Sequence, residues 1–79
     1  MAPRSPTHRA FGQAIREIRH ERGLSQERLA DESDLDRTLV GKVERGEGNP
    51  SFESLLKIAA ALGVRPSTLF ERFERNSGT

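Results

Sequence analysis

Between its seven Gly and four Pro, this chain spaces its apolar side chains three and four residues apart, with no period-two alternation longer than a few residues. That spacing builds one apolar stripe along a helix and denies a sheet its alternating face, so the expected class is all-α. Thr7 is the expected cap of a first helix over about residues 8–22, with Phe11, Ala14, Ile15 and Ile18 inward and Gly23 ending it. Ser25 opens a short second helix to about residue 32, with Leu29 and Ala30 inward and Glu27 set favourably against the helix dipole. Asp36 caps a third that runs to about Arg45, where Gly46-Glu47-Gly48-Asn49-Pro50 stops it. Ser51 caps a fourth, with Phe52, Leu55, Leu56, Ala59 and Leu62 on one side and Gly63 at its end. Pro66 and Ser67 open a fifth, which carries Leu69, Phe70 and Phe73. Residues 1–6 and 76–79 read as a disordered tail and a frayed terminus around one domain of residues 7–75.

Seventy-nine residues hold one small domain and exclude a large enzyme. The absence of Cys removes disulfides and thiol catalysis. Ile58 to Leu62, the longest apolar run, falls far short of the roughly 20 residues that span a bilayer, so no membrane partner is expected. Arg4 near the start is followed by no apolar stretch, so a secretory leader is not expected and a cytoplasmic location is. A net charge of +1 says little about partners, but its distribution says more. Residues 1–23 hold five basic and two acidic side chains, residues 24–36 one and five, and residues 37–49 three and two.

On a wheel of the third helix, Val40 and Val43 fall within about 60° of each other and define its buried side. Opposite them stand Arg37, Thr38, Gly41, Lys42 and Arg45, while Asp36 and Glu44 lie away from the centre of that face. A basic, acid-free face on a short helix, preceded by another short helix and a tight turn, suits the major groove of DNA, about 12 Å wide. There Arg37 and Lys42 can read guanine O6 and N7, Thr38 a base edge or a phosphate, and Leu39 a thymine methyl. At the start of the second helix, Ser25, the Gln26 amide and the neighbouring backbone N–H groups suit a phosphate. Ala30 is the small residue where two helices must cross closely at a steep angle. A basic face alone is more often a solvated surface; the spacing of Leu29, Ala30, Leu35, Val40 and Val43 is what favours a helix-turn-helix at about residues 25–44.

The run from Gly23-Leu24-Ser25-Gln26 to Leu29-Ala30, then Leu35-Asp36-Arg37-Thr38 to Val43-Glu44-Arg45-Gly46, then Asn49-Pro50-Ser51, resembles the lambda-repressor and Cro-like family, also called XRE-type. The resemblance covers about residues 8–74 and implies a five-helix DNA-binding domain whose third helix reads the major groove. It implies base or near-base contacts at Arg37, Thr38 and Lys42, and backbone-phosphate contacts at Gln26 and Asn49; Gly41 and Arg45, on the same face, are expected to meet phosphates as well. It further implies a structural ion pair between Arg19 and Glu44. Within the family the chain is most similar to controller proteins of restriction-modification systems, dimeric regulators of their own operon. Asp34 stands where the turn usually has Gly, Gly41 replaces a polar residue, Glu47 adds a negative charge near the expected phosphates, and Leu39 sits where many relatives have Tyr.

Other motifs carry no chemistry. Ser54-Leu55-Leu56-Lys57 matches an S-x-x-K without its partner motifs, Gly46-Glu47-Gly48 follows no strand, and His20-Glu21 lacks the second His of a zinc site, so no catalytic residue, metal or cofactor is expected. Three large apolar groups close to the end exceed what one helix edge needs, and Leu69, Phe70 and Phe73 are the expected two-fold dimer interface, Leu69 and Phe73 foremost. The function expected is thus a homodimeric regulator that binds specific double-stranded DNA, with no small-molecule ligand. The alternative is an antitoxin-like interaction module with secondary DNA binding, although little sequence outside the domain is left to grip a toxin. Met1 to Arg9 can be a minor-groove arm, but a disordered tail fits it better.

Overall fold

Four short polar side chains start four of the five helices. In the computed structural model, which describes residues 5–78, Ser5 accepts a hydrogen bond from the backbone N–H of His8, Ser25 from Arg28, Asp36 from Thr38 and Ser51 from Ser54. Each bond satisfies a backbone donor that the first helical turn leaves unpaired. The helices they open are α1 (Pro6–Glu21), α2 (Gln26–Ser33), α3 (Arg37–Glu44) and α4 (Phe52–Leu62). The last helix, α5 (Pro66–Asn76), has no side-chain cap and starts on Pro66, whose fixed φ and missing N–H suit that position. Asp34 at φ 57° and Gly63 at φ 74° end α2 and α4 in the left-handed conformation. The next residue in each case, Leu35 and Val64, then donates its N–H back to Ala30 and Ala59 and lays its side chain on the core.

The core gathers one stripe from every helix: Ile15 and Ile18 of α1, Leu29 and Ala30 of α2, Val40 and Val43 of α3, Ile58, Ala59 and Leu62 of α4, and Leu69 of α5. Helix α1 lies against both α3 and α5, and α2 against α3 and α4. Two carboxylates on α1 tie it to α5, where Arg72 reaches Glu17 at 3.2 Å and Glu21 at 2.8 Å.

Several expectations need correction. Thr7 lies inside α1, because Ser5 takes the cap and Pro6 the first helical position, so the expected tail loses Pro6 to the helix; the rest of it, Met1 to Arg4, lies outside the described residues. Asn76 is helical rather than frayed, its side-chain amide donating to the Ala10 carbonyl and to Glu17. Leu69 cannot be a dimer contact: it is 0% exposed, at the centre of the inward arc of α5. Phe70 is 45% exposed and Phe73 half-buried, both rings packed on Phe11. On α4 the apolar arc is wider than its neighbours cover. Ile58 and Leu62 take its middle, leaving Phe52 77% and Leu56 40% exposed at one edge.

Candidate nucleic-acid interface

The α2–α3 unit is set by three local choices. Ala30, buried at the crossing, presents only a methyl group, and Ser33 returns its hydroxyl to the Leu29 carbonyl at 2.6 Å instead of competing with the turn. Asp34 then takes the left-handed turn position, one that Asp adopts at less cost than most side chains. With Val40 and Val43 facing the core, Arg37, Thr38, Lys42 and Arg45 are all exposed on the other side of α3. The Lys42 side chain makes no hydrogen bond or ion pair among the described residues, while Arg45 is paired with Glu47 at 3.2 Å. Leu39 is half-buried against the core, at the margin of this face.

Gly41 is different. It is buried, with the guanidinium of Arg45 and the amide oxygen of Gln26 lying over the place where a side chain would be. A direct phosphate contact at Gly41 is therefore set aside; its part is to let two polar side chains fold over the helix.

Beneath the face lies a polar network. Arg19 of α1 donates to both carboxylate oxygens of Glu44, at 2.6 and 3.1 Å, and through its remaining nitrogen to the Leu24 carbonyl at 2.8 Å. The expected ion pair is thus present, and it also holds the residue before the α2 cap. Glu44 has a further partner, the Gln26 amide nitrogen at 2.9 Å, and the Gln26 oxygen accepts from Arg37 at 3.3 Å. Arg19, Ser25, Gln26, Glu27 and Arg37 line one shallow cleft where α2 begins. Asn49, exposed in the loop after α3, accepts with Oδ1 from His8 Nε2, and the other ring nitrogen of His8 meets the Ser5 hydroxyl at 2.6 Å. Since Oδ1 only accepts, its bond to His8 leaves the Asn49 NH2 available as a donor.

Sequence reasoning missed His8 and Ser5 as the groups that orient Asn49, because they stand 41 and more residues away from it with no motif between. It also missed Gly12. A Cβ there would lie 2.3 Å from the Val43 carbonyl oxygen and 2.6 Å from that of Glu44, so only glycine lets α1 come this close to the end of α3. A glycine inside an otherwise uninterrupted helical stretch was the available signal.

A family model described as helix-turn-helix matches residues 15–69, which span α2, α3 and α4 and the parts of α1 and α5 that pack on them. The chain belongs to the XRE-type helix-turn-helix family. Among similar XRE-type proteins, the control protein C.BamHI of Bacillus amyloliquefaciens is 47% identical over 62 residues, covering 77% of this chain and 76% of that one. The crystal structure of the restriction-modification controller C.AhdI from Aeromonas hydrophila is 53% identical, with a TM-score of 0.77 over 78% of this chain and 94% of that one. The controller C.Esp1396I, solved as a tetramer in complex with its natural 35 base-pair operator, is 33% identical, with a TM-score of 0.86 over 95% of this chain and 99% of that one. As an XRE-type protein the chain is a DNA-binding transcription regulator and not an enzyme. No helix among the described residues is long and apolar enough to cross a membrane.

Proposed function

We propose that this regulator binds a pseudo-palindromic operator as a homodimer, in the cytoplasm, and controls the restriction-modification operon that encodes it. The observation that carries the proposal is the exposed side of α3, where Arg37, Thr38 and Lys42 stand together, opposite the buried Val40 and Val43 and beside the N-terminus of α2. Arg37 and Lys42 read guanine edges, with Thr38 and Leu39 next to them. Ser25, Gln26, Arg45 and Asn49 meet backbone phosphates and supply much of the affinity. The resemblance to controller proteins supports the operon assignment.

A dimer sets two copies of α3 about 34 Å apart, which matches half-sites about 10 base pairs apart. With Leu69 in the core, the surfaces left for a two-fold interface are Phe70, with Phe73 behind it, and the exposed pair Phe52 and Leu56. Light scattering at micromolar concentration should report a dimer, and a monomer there would sink this part of the proposal.

DNase footprinting upstream of the protein's own gene, at two salt concentrations, tests the whole. The wild type should protect a pseudo-palindrome, with protection weakening at the higher salt, and an Arg37→Ala, Lys42→Ala variant should lose it. Equal protection by both proteins would remove α3 as the reader.

A further inference from the structure

We propose that Glu47 competes with DNA for Arg45: its carboxylate occupies the guanidinium that meets a phosphate, and binding exchanges the carboxylate for the phosphate. The inference rests on Arg45 being a phosphate contact and goes beyond it, since it makes an acid at the edge of the face the residue that limits affinity for DNA of any sequence.

Three cations stand on the exposed side of α3 and its C-cap, and they are not held alike. Arg37 donates to the neutral Gln26 amide, and the Lys42 side chain is unbonded among the described residues. Arg45 instead gives two hydrogen bonds to one carboxylate, Nε to Glu47 Oε2 at 3.2 Å and Nη2 to Oε1 at 3.3 Å. This is the side-by-side arrangement in which a guanidinium also takes two oxygens of a phosphate, so carboxylate and phosphate cannot hold that edge together. Nη1, on the other side of the guanidinium, lies against the helix, 3.1 Å from where a Gly41 Cβ would be.

The main chain around Glu47 is fixed on both sides. Its N–H donates to the Lys42 carbonyl at 2.8 Å and closes the end of α3. Gly46 before it, at φ 76°, is pressed on α1, where a Cβ would stand 2.9 Å from three atoms of Arg9. The Glu47 side chain is 17% exposed against 57% for that of Arg45. When the pair opens it is therefore Arg45 that swings out, and the carboxylate stays behind beside the loop that carries Asn49.

Two costs follow, and neither depends on the bases. The surface pair must be broken, and the charge left behind repels the phosphate that Arg45 meets. An exposed pair is weak, so Glu47 subtracts from affinity without abolishing it. Arg37 and Lys42, the cations assigned to base edges, have no such competitor among the described residues. Glu47 thus lowers the part of the affinity that every duplex supplies and leaves the base contacts as they are.

Fluorescence anisotropy titrations of the intact protein over a salt series decide the matter, on DNA from upstream of its own gene and on an unrelated duplex of equal length. Glu47→Gln, which keeps the size of the side chain and removes its charge, should bind both duplexes about two- to fivefold more tightly per protomer. Its plot of log affinity against log salt should be steeper by about one per protomer, with the ratio between the two DNAs unchanged. In an Arg45→Ala background the same substitution should gain much less. Affinity of Glu47→Gln equal to or below wild type at every salt would overturn the inference, the latter result making Glu47 a group that steadies Arg45. The full gain kept without Arg45 would overturn it as well, since plain repulsion of phosphates would then account for it with no exchange. Failure of the contact beneath the inference is told apart by Arg45→Ala alone, which should weaken binding to both duplexes and flatten the salt dependence. Unaltered binding there would remove Arg45 from the interface and the inference with it.

Discussion

The same substitution at two glycines should have opposite effects. Gly12 and Gly41 both lie inside helices and both are buried, and replacing either with Ala gains roughly 0.5–1 kcal/mol of helix propensity. At Gly12 the new Cβ would stand 2.3, 2.6 and 2.8 Å from the Val43 oxygen, the Glu44 oxygen and the Glu44 carbonyl carbon, all backbone atoms. An ordinary contact there needs about 1 Å more. Helix α3 is not free to retreat, because Val43 is seated in the core and Glu44 is ion-paired to Arg19 on the very helix that would push it away. Overpacking of this kind costs about 1–3 kcal/mol, and backbone atoms that cannot rotate aside put Gly12 at the upper end. Set against the propensity gain, Gly12→Ala should lose about 1–2 kcal/mol, or roughly 5–15 °C in Tm for a domain this size. At Gly41 the nearest atom is Arg45 Nη1 at 3.1 Å, the tip of a flexible exposed side chain that swings away at little cost. Gly41→Ala should therefore keep most of its gain and raise Tm by about 2–8 °C. Circular dichroism melts at one fixed protein concentration, so that dimerisation does not enter the comparison, give both values. A Gly12→Ala protein as stable as wild type, or two variants that shift in the same direction, would refute the close-approach argument.

Glu44→Ala should be far more damaging than any change on the exposed face, by about 3–5 kcal/mol in urea unfolding, because it leaves the buried Arg19 guanidinium without its counter-charge. Acid should loosen α1 from α5. Hydrogen bonds from Gln13 and then Arg72 hold the Glu17 carboxyl below the ordinary glutamate value, and Arg72 does the same for Glu21. Their contribution is present in full above the ordinary glutamate value near about 4.3 and is lost as the pH falls through the lowered folded values. In melts at decreasing pH, Arg72→Met should thus show a smaller loss of Tm below that point than the wild type; parallel curves would remove the pair from the account. Phe70→Ser should shift light scattering toward a monomer with a small change in the monomer's own stability, whereas Leu69→Ala should cost about 2–5 kcal/mol through the core. Arg37→Ala should cost about 1–3 kcal/mol on the operator in a gel-shift titration and relax the preference at one base pair.

What the sequence reveals about this molecule is governed by how local each cause is. Ser25, Asp36, Ser51 and Gly63 act within a few residues of themselves, and each does in the structure what its position implies. Thr7 fails as a cap for an equally local reason: Ser5 followed by Pro6 is the better start. The inward faces of α2 and α3 are legible because each has only two or three apolar residues to place. Along α4 and α5 the apolar arc is wider than a single contact, and periodicity cannot say which edge stays bare; hence Leu69 is in the core while Phe52 and Leu56 are outside. The outward residues of α3 follow from its inward ones by subtraction. Their supports do not, since Gln26 with Glu44, and His8 with Asn49, meet only after the chain has folded back.

Those supports share an origin. Helix α1, which the DNA-binding proposal leaves without a base contact, provides Gly12 against the end of α3, Arg19 for Glu44 and for the Leu24 carbonyl before α2, and His8 for Asn49 in the loop beyond α3. Each fixes a different part of the interface: the distance of α3, the start of α2, the direction of the loop amide. A recognition helix of eight residues has too little surface of its own to hold a defined angle, and too few hydrogen bonds to stay helical unsupported. The long α1, anchored at its other side to α5 through Arg72, supplies that rigidity through backbone contact and charge pairing rather than through more apolar area, which a chain of 79 residues has little of to bury. If Arg37 and Lys42 read bases as proposed, the accuracy with which they do so is a property of α1 as much as of the helix that carries them.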